Sequence, residues 1–237
     1  MDKLIHNYED LLELLDELLK EESKFNWDNF YSNRERKVPF FINSPDENLV
    51  SYFETKHFTA GKVLELGCGP GRNAIYFAEK GCKVDAVDIS QEALDWGIER
   101  ANQKSLHVNF INKNIFELEI GKGAYDIVYD SGCLHHIAPH RRISYIELVL
   151  NALKPGGYFA VTCFIEGSEI GGSSISDLEV YKHRSLMGGL GFTDEKLRKI
   201  FRDFEQVEIR KMKEVNPTEN IFGVNGLWTG LFRKKES

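Results

Sequence analysis

The chain has 237 residues, a formal net charge of −7, 42% hydrophobic residues and 28% charged residues. That length suits one globular domain with an appendage, and the composition is ordinary for a soluble protein. An acidic surface repels phosphate backbones, and the basic clusters are short, at Arg34, Arg36 and Lys37 and again at Arg233, Lys234 and Lys235. A nucleic-acid partner is therefore disfavoured. Cys68, Cys82, Cys133 and Cys163 form no CxxC pair, so neither a zinc knuckle nor a dithiol redox motif is indicated. The opening stretch MDKLIHNYEDLLELL carries acids within its apolar run. It reads as neither a signal peptide nor a membrane span, and a cytoplasmic protein is expected.

In chain order, Leu4, Tyr8, Leu11, Leu12, Leu15, Leu18 and Leu19 recur at helical spacing with acids between them. This predicts an acidic amphipathic helix, more suited to packing than to a dimer contact. An irregular aromatic stretch, KFNWDNFYSNRERKVPFF, follows. SPDENLVSYFE opens a helix, with Ser44 as cap, Pro45 at the first helical position and Glu47 completing a capping box.

From Lys62 onward strands and helices alternate. KVLEL is a strand and RNAIYFAEKG a helix ending at Gly81; KVDAVDIS is a strand and SQEALDWGIERANQK a helix capped by Ser90. HVNFIN and YDIVYD are the next strands, HRRISYIELVLNALKPGG is a helix stopped by Pro155 and Gly156, and YFAVTCF is the fifth strand. Such alternation predicts βαβ units and a mostly parallel sheet covered on both faces. EGSEIGGSSIS reads as a mobile loop, TDEKLRKIF as a helix begun by Thr193, and FEQVEIRKMKEV with LWTGLFRK as an antiparallel pair at the sheet edge.

VLELGCGPG sets Gly67, Gly69 and Gly71 at alternate positions between the first strand and its helix. Ligands of open α/β sheets sit beyond the carboxyl ends of the strands, and glycine there lets the backbone approach them. Asp88 ends the next strand about twenty residues on, where a carboxylate can accept both hydroxyls of a ribose. A dinucleotide fingerprint would need glycine at the position of Arg72, which counts against a nicotinamide cofactor.

VLELGCGPG, VDAVDIS, YDIVYDSGCLHHI and ALKPGGYFAV together resemble the class I S-adenosylmethionine-dependent methyltransferases, over Lys62 to about Phe164. The resemblance implies a Rossmann-like seven-stranded sheet with helices on both faces, one antiparallel strand and the order 3-2-1-4-5-7-6. It implies a division into an N-terminal helical arm and cap, residues 1–60, and a methyltransferase domain, residues 61–237. Gly67, Cys68 and Gly69 would pass under the methionine part of the cofactor, and Glu65 would sit near its amino group. Asp88 would hold the ribose, Ile89 would pack on the adenine, and the backbone of Ile115 would face it. Asn114 stands where many members have an Asp beside the adenine amino group, and its amide oxygen can accept the same bond. Asp130 would close strand four, where the family bonds the methionine ammonium, often through backbone carbonyls.

Strand four ends in DSGCLHHI rather than the Asn/Asp-Pro-Pro-aromatic run of enzymes that methylate amide or base nitrogens. With the negative charge, this favours a small-molecule acceptor, on a monomer or homodimer. FNWDNFYSNRERKVPFF, GPGRNAIYFAEKG and DSGCLHHIAPHRRISY are similar to the thiopurine, halide and tellurite-resistance branch, which methylates soft nucleophiles. His135 is a candidate base for a protonated acceptor, and a packed core imidazole is the competing reading. Trp27, Tyr31 and His136 are candidates to line or cover the site. Adjacent histidines rarely converge on an ion, so no metal is expected. A nucleotide-dependent oxidoreductase and a non-catalytic S-adenosylmethionine-binding protein are the rival readings.

Overall fold

The computed structural model describes residues 4–20, 25–216 and 218–236. The parts of the expected arm at residues 1–3 and 21–24 lie outside the described residues. A seven-stranded sheet runs in the order β3-β2-β1-β4-β5-β7-β6. Its strands are β1 Lys62–Leu66, β2 Lys83–Asp88, β3 Asn109–Asn112, β4 Tyr125–Ser131, β5 Leu153–Phe164, β6 Glu205–Lys211 and β7 Leu227–Arg233. The first five pair in parallel, and β7 runs antiparallel to both β5 and β6. The expected order and the single antiparallel strand are both present.

The helices are α1 Tyr8–Leu18, α2 Trp27–Ser32, α3 Glu47–Glu54, α4 Arg72–Glu79, α5 Gln91–Gln103, α6 Arg142–Ala152, α7 Asp177–His183 and α8 Asp194–Ile200. Side chains alternate across each strand, so β1 feeds two cores. Leu64 and Leu66 join Val128, Phe159 and Val161 under α6 and α8. Val63 joins Ala86, Tyr129 and Leu231 under α3, α4 and α5. Glu65 shares the face of Val63, which sends a carboxylate into that second core. Burial on both faces explains why these strands read as continuous apolar runs rather than alternating ones.

Local signals succeed where their partners are near in sequence. Ser90 caps α5 by accepting from the Ala93 amide at 3.2 Å, and Thr193 caps α8 by accepting from the Lys196 amide at 3.1 Å. The capping box predicted at Ser44 to Glu47 does not form. Helix α3 starts at Glu47, and Asp46 stands at its N-cap without a side-chain cap bond. Asp46 instead pairs with Arg72 at 2.6 Å and accepts from Tyr129 Oη at 2.8 Å and Asn73 Nδ2 at 3.0 Å. Glu47 pairs with Arg210 at 2.5 Å. These distant partners outbid the local cap, since charge-assisted bonds are stronger than neutral ones. Helix α6 ends at Ala152, ahead of Pro155, and β5 begins at once at Leu153, five residues before its expected start.

The glycine- and serine-rich loop is held in place rather than mobile. Glu166 N donates to Phe192 O at 3.0 Å, Ser173 N to Gly189 O at 2.8 Å and Gly191 N to Ser173 O at 2.9 Å. The arm, too, is tied down by charge and rings. Asp16 of α1 contacts His140 Nε2 at 2.8 Å and Arg141 at 2.5 Å. Asp28 of α2 accepts from Ser90 Oγ at 2.7 Å, and Tyr31 and Phe41 pack around Ala93.

The turn before α4 needs glycine for two reasons. Gly71 has φ of +72°, and a Cβ there would come within 2.8 Å of the Phe110 ring. Gly71→Ala is expected to cost about 1–3 kcal/mol of stability from strain and overpacking. Urea unfolding should show a lower midpoint with an unchanged slope; a midpoint equal to that of the unaltered protein would contradict the packing account.

Candidate active site

The loop between β1 and α4 is fixed to β2 by two hydrogen bonds. Cys68 N donates to Val87 O at 2.9 Å, and Gly69 N donates to Asp88 Oδ2 at 2.8 Å. Asp88 Oδ1 accepts from Ser90 N at 2.9 Å, which joins the same carboxylate to the start of α5. Burial pushes the Asp88 carboxyl upward, and the amide donors pull it back. The glycines of this loop answer to protein neighbours. A Cβ on Gly67 would lie 2.8 Å from Cys133 Cβ, and one on Gly69 would lie 3.0 Å from Tyr31 Oη. Both have positive φ, at +64° and +51°.

A cavity of about 370 Å³ opens at the carboxyl ends of the strands. Gly67, Cys68, Gly69, Asp88, Ile89, Asn114 and Ile115 lie on its wall, as do Trp27, Tyr31, His135 and His136. The strand order spreads that wall from β2, through β1 and β4, to β5 and β7. The side chains of two expected residues lie off the wall, and a third is engaged locally. Glu65 is 1% exposed and sits behind the wall with Arg72, Asn73 and Asp46; its Oε2 lacks a hydrogen-bond partner among the described residues. Burial drives its carboxyl far above the usual range, with Arg72 opposing. Asp130 turns away from the cavity, because its carboxylate accepts from Cys133 N at 2.8 Å, Leu134 N at 3.0 Å and Tyr145 Oη at 2.6 Å. It thus shapes the strand-four turn that Ser131, Gly132 and Cys133 present to the cavity. Asn114 reaches the wall but spends its amide oxygen as a cap, accepting from Phe116 N at 3.1 Å.

His135 and His136 follow that turn in the short 3-10 helix Leu134–His136. The His135 ring stacks on Phe164 with centroids 3.9 Å apart, and Trp27 meets His136 edge-on at 5.0 Å. Burial and the neighbouring His136 hold His135 well below the usual imidazole range, and burial takes His136 down to about 4. Both rings are neutral near pH 7. Gly132 and His135 both line the cavity, and a Cβ on Gly132 would stand 3.9 Å from His135 Nε2.

Sequence reading missed a second set of wall residues: Arg72, Phe40, Phe164, Ile170, Phe222 and Leu227. Phe164 ends β5 and Leu227 begins β7, so the strand order alone could have nominated them. Phe40, Ile170 and Phe222 come from irregular segments whose course no periodicity reveals. Among the described residues, no group of three or more His, Cys, Asp or Glu is placed to hold a metal ion. No helix among them is long and apolar enough to cross a membrane.

Burial lifts the Asp130 carboxyl to about 7, against the pull of its hydrogen bonds. The folded protein therefore binds this proton more tightly than the unfolded chain does. Asp130 stabilises the fold below the unfolded value near 4, and that contribution is lost as pH rises through about 7. A side-chain carboxyl carbon resonance should titrate with a midpoint near 7, beside a His136 imidazole titrating near 4. An Asp130 midpoint in the ordinary carboxylate range would contradict this burial.

Residues 63–157 match the family described as a methyltransferase domain. An uncharacterized methyltransferase of Schizosaccharomyces pombe is 41% identical over 75 residues, 32% of this chain and 52% of its own length. The chain spans about half the length of the curated relatives it matches first. Its fold aligns with a solved structure described as converting a disulfide bond into a thioacetal group during echinomycin biosynthesis, at TM-score 0.68 and 20% identity, over 89% of this chain and 91% of that one. It also aligns with a Burkholderia thailandensis 1,6-didemethyltoxoflavin N1-methyltransferase that holds S-adenosylhomocysteine, at TM-score 0.61 and 18% identity, over 99% of this chain and 93% of that one. The matched segment is the one that carries the glycine loop, Asp88 and the strand-four turn, and the chain thus carries, over residues 63–157, a match to a methyltransferase domain set on a Rossmann-like sheet.

Proposed function

We propose that the protein transfers the methyl group of S-adenosylmethionine to a small-molecule acceptor in this cavity. The observation that carries the reading is one continuous wall with two unlike ends: a glycine loop locked to a buried carboxylate over β1 and β2, and apolar side chains over β5 and β7.

The residues suit the cofactor. Gly67 and Gly69 leave bare backbone on the wall, and no Cβ can be added there without striking Cys133 or Tyr31. Each Asp88 oxygen accepts one backbone amide, and a carboxylate oxygen has a lone pair left for a ribose hydroxyl. Ile89 and Ile115 offer apolar surface to an adenine, and the Asn114 amide stands beside them. Arg72 also reaches the wall, with its guanidinium held by Asp46 at 2.6 Å. Glu65 and Asp130 act from behind: Glu65 holds the Arg72 neighbourhood, and Asp130 fixes the turn under Gly132.

When bound, S-adenosylmethionine supplies an activated methyl whose carbon–sulfur bond breaks with the electron pair left on sulfur. The chain's part is to orient the acceptor, exclude water and receive a proton. Trp27, Tyr31 and His136 close the mouth, so residues 1–60 serve as a closing arm on a catalytic unit of residues 61–237. Neutral His135 accepts the proton of a hydroxyl or amine acceptor at Nε2. Among soft nucleophiles, an organic thiol suits these walls better than a bare halide or chalcogen anion, because Arg72 is already paired with Asp46.

Calorimetric titration with S-adenosylhomocysteine tests the cofactor half. Binding is expected with NADH inert, and Asp88→Ala should weaken it at least tenfold, since ribose hydroxyls lose a charged acceptor. An unaltered dissociation constant in the variant would remove Asp88 from the cofactor. His135→Ala should reduce turnover of a phenol or amine far more than turnover of a thiolate, and equal losses would take away its proton-accepting role.

A further inference from the structure

The cavity wall changes character along the sheet. Toward β2 it is polar and charged, with Asp88 and Asn114. Toward β5 and β7 it is built from Phe164, Ile170, Phe222, Val224 and Leu227, with Phe40 and Trp27 from the arm. None of these carries a charge. The polar side chains at this end are buried and neutral: Thr162 is 2% exposed, and His135 is held in its uncharged form by burial.

Arg72 stands at the seam and has its charge taken up. It pairs with Asp46 at 2.6 Å, donates to Ser131 Oγ and to Ser44 O at 3.1 Å each, and carries Phe222 over its guanidinium at 4.3 Å. An ionic group placed deeper, against β5 and β7, would lose its water and gain no counter-charge.

Phe164 is a fixed wall. His135 stacks on it at 3.9 Å and 24° between planes. Behind it the loops close to a distance that only glycine permits. A Cβ on Gly171 would meet the Phe164 ring at 2.8 Å, and one on Gly189 would meet it at 3.1 Å. The ring cannot swing outward without moving two backbone segments, so its exposed face stays presented to the cavity.

Resting on the methyl-transfer reading above, we infer that the acceptor is an uncharged, ring-bearing small molecule. Its apolar body lies against Phe164, Phe222 and Leu227, and it presents one hydroxyl, N–H or thiol to His135. The acceptor's lone pair forms the new bond to the methyl carbon, and the bond to sulfur breaks with its electrons kept by sulfur. The acceptor's proton passes to His135 Nε2 and on to water, which carries away the positive charge of the sulfonium. Flat aromatic walls favour a planar ring through offset and edge-on contacts, and an uncharged body loses least on leaving water.

The test titrates the protein saturated with S-adenosylhomocysteine with 2-naphthol, 6-hydroxy-2-naphthoate and cyclohexanol. 2-Naphthol is expected to bind at least tenfold more tightly than either of the others. Phe164→Ala and Phe222→Ala should each weaken 2-naphthol about tenfold, with S-adenosylhomocysteine held within twofold. Phe164→Leu and Phe222→Leu, checked for folding by thermal melts, serve if an alanine variant fails to fold. Equal or tighter binding of the naphthoate would overturn the inference, as would variants that leave 2-naphthol unaltered. Failure to bind S-adenosylhomocysteine would instead strike the methyl-transfer reading. The same three compounds titrated into the free protein then judge the wall alone, with the same order expected and the same reversal overturning it.

Discussion

One carboxylate joins the parts of this site. Asp88 sits at the end of β2 and accepts from Gly69 on one oxygen and Ser90 on the other. The first bond holds the glycine loop against the sheet, and the second sets the start of α5. A buried carboxylate is costly unless its oxygens are satisfied, and backbone amides satisfy it without adding a charge. The residue proposed to meet a ribose is thus also the one that holds the loop to the sheet. Preorganisation of that kind spares the ordering cost that a flexible loop would incur on binding.

A second buried polar group decides where the chain before the sheet can lie. Asp46, fully buried, gathers Arg72, Asn73 and Tyr129 from α4 and β4. Losing one partner of such a pair costs about 3–5 kcal/mol, because the other charge stays buried and alone. The start of α3 is therefore fixed by the sheet it packs on and not by its own first turn. The aromatic arm is placed by a similar division of labour, with Tyr31 over Gly69 and Asp28 on Ser90.

The sheet was legible because its signals are short-range. Apolar runs, glycine turns and the caps at Ser90 and Thr193 each depend on residues within a few positions of one another. The glycine loop and Asp88 were legible for the same reason, since one crossover unit contains them both. Where long-range partners intervened, the reading failed. The capping box at Ser44 lost to the Asp46 network, and the Glu65 and Asp130 carboxylates lie buried behind the cavity wall. The loop after β5 has the composition of a mobile segment, yet backbone bonds to residues 189–192 hold it. Most of the apolar end of the cavity was invisible, because Phe40, Ile170 and Phe222 arrive from irregular segments.

Phe110 enters a slot floored by Gly71 on one side and Gly97 on the other, where added methyl carbons would stand 2.8 Å and 2.7 Å from its ring. The large residue and the two absent side chains form a single unit of fit, contributed by β3, the α4 turn and α5. Neither glycine can gain a side chain while residue 110 keeps its bulk. A smaller residue at 110 would release Gly97 first, whereas the φ of +72° would still hold position 71 to glycine.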